Sequence, residues 1–165
     1  MVEFIKSASG KPIKAAELMT LAVVDFFDHE SKMTQLGYGV KPLYKSTISF
    51  KNKMDKFYSQ RLAQEKVSID VYSKTSDSQN ANLLGSCSFV LTDIVYGAVA
   101  PPGTTTKLLN IIPAASLLAN VPQTSEYASL GSLKVNVRLR KPISDAIKFH
   151  ETSMSGMSES AQKSD

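Results

Sequence analysis

Residues 131–142, GSLKVNVRLRKP, alternate strictly: Leu133, Val135, Val137 and Leu139 against Lys134, Asn136, Arg138 and Arg140. Successive side chains on a strand point to opposite faces, so a period of two predicts a strand with one face in the core and one in water. Pro142 supplies no backbone donor and ends it. EKVSIDVYSK repeats the pattern, with Val67, Ile69 and Val71 inward and Lys66, Ser68, Asp70 and Tyr72 outward. LYKSTISFK sets Tyr44, Ile48 and Phe50 against Lys45, Thr47, Ser49 and Lys51. LLGSCSFVL and the opening VEFIK are further strands. MTLAVVDFF is apolar on both parities, which predicts a strand covered on both sides.

Helical patterns are few. MDKFYSQRLAQ offers Asp55 as a cap ahead of Phe57, Tyr58 and Leu62, and PISDAIKFHE gathers Ile143, Ala146, Ile147 and His150 on one side. Between Tyr96 and Leu130, prolines at 101, 102, 113 and 122 break the chain into a long connection holding short strands such as TTKLLNI. From Met154 the residues are small and polar, so we divide the chain into a folded domain, 1–152, and a disordered tail, 153–165. Seven or eight strands, long loops and no alternation of strand with helix predict an all-β antiparallel sandwich with a short C-terminal helix.

Composition narrows the chemistry. The 165 residues suffice for one real core, and no run of about 18 apolar residues occurs. MVEFIKSASG lacks the apolar stretch of a signal peptide, and the one cysteine, Cys87, fits a reducing compartment. A cytoplasmic location is therefore expected. With that cysteine and two histidines, His29 and His150, zinc sites of the Cys/His kind are excluded. A net charge of +4 without any recognition motif argues against nucleic acid as a partner.

DFFDHE, residues 25–30, is the densest cluster of titratable groups. Asp25 and Asp28 differ by an odd number of positions, so on a regular strand they face opposite ways and cannot cooperate. Asp28, His29 and Glu30 fall at the strand end, where polar residues solvate a turn. Asp25, between Val24 and Phe26, is expected to be a partly buried carboxylate in need of a hydrogen-bond donor. No nucleophile, metalloprotease or phosphate-loop motif accompanies them, so we assign no catalytic residue, no metal ligand and no cofactor. Cys87 reads as a small core residue.

VEFIK, TLAVVDFF, KPLYKSTISF, VSIDVYSKT, NLLGSCSFVLTDI and GSLKVNVRLR follow one another in the order that resembles a C2 domain, from about Val2 to Arg140. TLAVVDFFDHESKMT, GYGVKPLYKSTISF and RLRKPISDAIKFH look more narrowly like the C2 domains of the retinitis pigmentosa GTPase regulator-interacting protein family. That resemblance implies a C2-type β-sandwich of about eight strands. It also implies a non-catalytic scaffold role at the ciliary transition zone or basal body, with ciliary or cytoskeletal protein partners. Metal-binding C2 domains hold calcium with about five aspartates from two loops, since calcium takes six to eight oxygens. The corresponding segments here carry Glu17 and Asp77, with Ser73 and Thr75 at positions that are normally aspartates, so calcium independence is expected.

Two surfaces are candidates for function. Lys45, Lys51 and Lys53 share the outward parity of one expected strand, and Lys66 and Lys74 that of the next. Paired strands would make them a face for anionic phospholipid, each lysine contributing about 1 kcal/mol. The alternative surface is a protein-docking loop with Val99, Leu117, Leu118 and Val121, together with any exposed sheet edge open to an added strand.

Overall fold

The computed structural model describes residues 17–53, 58, 61–62, 64–74, 80–95, 104–118 and 129–140. Its strands are β1 (Met19–Phe26), β2 (Lys32–Met33), β3 (Gly37–Tyr38), β4 (Lys66–Lys74), β5 (Asn82–Val90), β6 (Thr104–Pro113) and β7 (Gly131–Arg138). Two short helices, α1 (Thr92–Val95) and α2 (Ala115–Leu118), follow β5 and β6. The strands run in the order β2-β1-β4-β5-β6-β7, with β3 also paired to β1. This is an all-β fold. The expected strand at VEFIK, the helix after Pro142 and the tail lie outside the described residues.

The chain divides into two compact units. The larger holds residues 1–50, 67–89 and 108–133, and its core is built on the antiparallel pairing of β1 with β4. That register sets Thr20 opposite Ser73, Ala22 opposite Val71, Val24 opposite Ile69 and Phe26 opposite Val67. Directly opposed residues share a face, so one face collects the apolar parity of both strands. Ala22, Phe26, Val67, Ile69 and Val71 are all buried there, and Leu18, Leu84 and Cys87 are buried as well. Full burial of a side chain such as Ile69 contributes roughly 1.5–3 kcal/mol. The two buried hydroxyls on this face are both satisfied: Thr20 Oγ1 lies 3.0 Å from Tyr44 Oη, and Ser73 Oγ donates to the Asn82 carbonyl at 3.5 Å.

The opposite face of β1 corrects one expectation. Met19, Leu21, Val23 and Asp25 are half-buried, so β1 is not enclosed on both sides. KPLYKSTISF is a second correction: no residue from 41 to 53 belongs to a strand. The inward set is real, for Tyr44, Ile48 and Phe50 are half-buried and Lys45, Thr47, Ser49 and Lys51 exposed. What prevents a ladder is the backbone. Lys45 adopts φ 45°, a left-handed conformation that a strand does not admit. Beside it the Ser46 hydroxyl donates to the Tyr44 carbonyl and accepts from the Gln35 N–H, each at 2.9 Å.

The smaller unit holds residues 51–66, 90–107 and 134–165. Within it Arg61 and Leu62 are helical as expected, Leu62 is buried, and Arg61 pairs with Glu65 one turn on at 3.5 Å. Residues 104–107 of β6 belong to this unit and 108–113 to the larger one, and the strand is longer than the expected TTKLLNI, extending to Pro113. Leu108 and Ile112 share its exposed parity with Thr104, Thr106 and Asn110.

Candidate interaction surface

The DFFDHE cluster is where acid–base or metal chemistry would be sought. β1 ends at Phe26, and Phe27, at φ 53°, turns the chain so that the His29 N–H donates to the Phe26 carbonyl at 3.2 Å. Asp28 therefore stands in a turn, exposed, while Asp25 stays on the half-buried face of β1. The same reversal brings back Ser31, whose hydroxyl donates to Asp25 Oδ1. That supplies the donor the carboxylate was expected to need.

His29 differs from expectation. Its ring stacks on Phe26 at 5.8 Å and lies 5.1 Å from Phe50, and the two phenylalanines are 5.2 Å apart. Lys32 closes the cluster, with Nζ 4.9 Å from the Phe50 centroid and donating to the Ser49 carbonyl at 2.6 Å. The imidazole here is a packing element, half-buried among aromatic rings, more than trim on a turn. Its signal was the pairing of period-two aromatics at 26 and 50, whose proximity no local pattern reports.

Asp70 lies opposite Val23, and Asp25 opposite Ser68, so the two carboxylates are diagonal neighbours on one face. Burial holds the Asp70 carboxyl above the usual carboxylate range, and the charge of Asp25 adds to the effect. Burial likewise pushes the Cys87 thiol up, with Asp70 contributing. A buried thiol kept protonated is a weak nucleophile, in keeping with a core role. Among the described residues no group of three or more His, Cys, Asp or Glu side chains is arranged to hold a metal ion.

The five lysines are placed differently from the premise that grouped them. Lys45, Lys51 and Lys53 lie on the strandless segment, all exposed, whereas Lys66 and Lys74 are the two ends of β4, exposed and half-buried. The neighbours of β4 are β1 and β5, so the segment holding Lys45 does not pair with it. Of the loop set, Val99 and Val121 lie outside the described residues. Leu117 is half-buried, its N–H on the Ala114 carbonyl at 2.9 Å, and Leu118 is the last residue of α2.

Among the described residues of the larger unit, the edge beside β1 is the most apolar exposed part. Met33 lies opposite Val23 and Tyr38 opposite Met19. Met33, Leu36, Tyr38, Val40 and Leu43 are all exposed. This edge is interrupted between β2 and β3. There the Thr34 hydroxyl accepts from the Ala22 N–H at 3.0 Å, and the Thr34 N–H donates to the Ala22 carbonyl at 2.9 Å.

An antiparallel all-β chain carrying these segments in this order is a C2 domain. It belongs to the family described as the first C2 domain of RPGR-interacting protein 1, whose profile matches residues 2–142. Among solved structures it is similar to a chain described with the words "CC2D1B coordinates ESRCT-III activity during the mitotic reformation of the nuclear envelope". The two share 15% identity with a TM-score of 0.56, over 79% of this chain and 50% of that one. This likeness supports the fold alone, and the present chain corresponds to about half the length of that one. No curated protein sequence matches the chain.

Proposed function

We propose that this chain is a calcium-independent, non-catalytic protein-interaction domain of a scaffold at the ciliary base or on the cytoskeleton. The observation that carries the reading is the family match over residues 2–142, to a domain of a protein named for its interaction with another protein. The local chemistry supports it. Asp25 is engaged by Ser31, and the His29 ring packs against Phe26 and Phe50, so both groups build local structure. The carboxylates at the calcium end of the sequence, Glu17 and Asp77, are too few for a cage of six to eight oxygens.

The test has two readouts. Capture of a protein from ciliary or cytoskeletal extract by the full chain should persist in moderate salt and in chelator. The melting temperature should be the same in chelator and in millimolar calcium, because a cation held only by the native state raises it by mass action. A rise of several degrees, or recovery of lipid alone, defeats the proposal. Binding to anionic, phosphoinositide-containing membranes is a second reading, favoured by the exposure of Lys45, Lys51, Lys53 and Lys66. It requires sedimentation with anionic vesicles that salt abolishes.

A further inference from the structure

The outward face of β1 and β4 mixes apolar side chains with a carboxylate and an amine. Register puts Met19, Leu21 and Val23 opposite Lys74, Tyr72 and Asp70, all half-buried on one face. On the side of β1 away from β4, Tyr38 stands opposite Met19 and Met33 opposite Val23. Both therefore share that face, 64% and 69% exposed. The face has three rows: one ending in Lys74, a middle one of Leu21 and Tyr72, and one ending in Asp70. At the usual rise of a strand the outer rows are roughly 13 Å apart. Among the described residues neither Asp70 nor Lys74 has an ion-pair partner.

These rows are self-complementary. A two-fold axis between two copies, running across the strands over Leu21 and Tyr72, reverses the order of the rows. It sets Lys74 of each copy over Asp70 of the other, Tyr38 over Met33, and Met19 over Val23. The middle row meets itself. Asp25 and Lys66 share the parity of this face but fall beyond the ends of the overlapped strands. A two-fold along the strands instead sets each charge over its own kind or over an apolar side chain, and a buried unpaired charge is costly. With Asp25 and Asp70 on it, the face does not suit an anionic membrane.

We propose that a second copy of this chain covers the face, in an isologous antiparallel dimer with reciprocal Lys74–Asp70 ion pairs around Leu21 and Tyr72. Three strands wide and about 20 Å long, the face spans on the order of 300 Å² per copy, against about 800 Å² in a standard interface. The dimer is accordingly weak and concentration-dependent. Self-association is separate from the capture of other proteins proposed above, and either can fail without the other.

Sedimentation equilibrium of the full chain from about 10 to 500 μM should show a reversible monomer–dimer equilibrium, as a small interface allows. Asp70→Lys and Lys74→Asp should each raise the dimer dissociation constant at least tenfold, because each sets like charges over one another. Mixed in equal amounts, the two variants should associate again, within about threefold of the parent, since both ion pairs are complementary in the mixed dimer. Melting curves control for folding. Where a charge variant fails to fold, Tyr72→Lys replaces it, setting two lysines together on the axis, and should weaken the dimer at least tenfold. A monomer at every concentration, a dimer indifferent to these substitutions, or two folded charge variants that stay apart when mixed overturns the proposal.

Discussion

Gly85→Ala tests the packing of β5 against β6, because the space beside this glycine is already occupied. A Cβ built there would lie 2.2 Å from the Ile112 carbonyl oxygen and 2.9 Å from Ile111 Cγ2, where real Cβ contacts essentially never fall under 3.0 Å. The nearer neighbour is backbone and cannot rotate away. Gly85 pairs with Pro113 and Ser86 with Ile112, so the two strands must part by roughly 1 Å at this point, a form of overpacking. Overpacking typically costs about 1–3 kcal/mol. The adjacent bond from the Ala114 N–H to the Leu84 carbonyl, 2.8 Å long, weakens with it and adds about 1 kcal/mol. Reduced entropy of the unfolded chain favours alanine by about 0.4–1 kcal/mol. The net loss is then about 2 kcal/mol, or roughly 4–8 °C of melting temperature for a domain of this size. Thermal and urea unfolding followed by circular dichroism measure it, with Ser86→Ala, at the exposed neighbouring position, as a control expected within about 0.5 kcal/mol. A Gly85→Ala melting temperature within 2 °C of the parent would refute the steric argument.

Tyr44→Phe should cost about 1–2 kcal/mol in urea unfolding, since the buried Thr20 hydroxyl loses its partner. Burial raises the Tyr44 phenol above its ordinary 10.0, so the unfolded chain ionises first and parent stability should decline as pH climbs past 10, a decline that Tyr44→Phe reduces. Asp70→Asn should stabilise the protein at neutral pH. The Asp70 carboxyl is held above its ordinary 3.8, so its contribution to stability is fully present only below that value and is lost as pH rises through the folded-state value. Equal stability of Asp70→Asn and parent at pH 7, or a gain that persists below pH 3.8, contradicts this assignment.

Where hydrophobic alternation coincided with a hydrogen-bonded ladder, sequence pattern and structure agree. Val67, Ile69 and Val71 in β4 and the alternating face of β7 are legible because one buried face imposes a period of two on the strand itself. Cys87 was legible as core for the same reason, lying in an apolar run. The family order of segments was equally visible, because each is a short local pattern whose succession along the chain needs no knowledge of contacts.

Other features depended on contacts between distant residues. Residues 44–50 carry the alternation of a strand without being one, because pattern reports burial while strand identity requires a neighbour for the backbone. Here Lys45 turns left-handed and Ser46 takes up the donors and acceptors instead. The half-open face of β1 was hidden for a related reason: apolar residues at Met19, Leu21 and Val23 say nothing of whether anything covers them. His29 became part of an aromatic cluster only because the chain reverses at Phe27 and Phe50 returns to meet it. The diagonal of Asp25 and Asp70 follows from register, which fixes who stands beside whom across strands about 45 residues apart and is invisible to any local window. Faces and strand periods are properties of a segment, whereas edges, registers and the groups that meet on them belong to the assembled sheet.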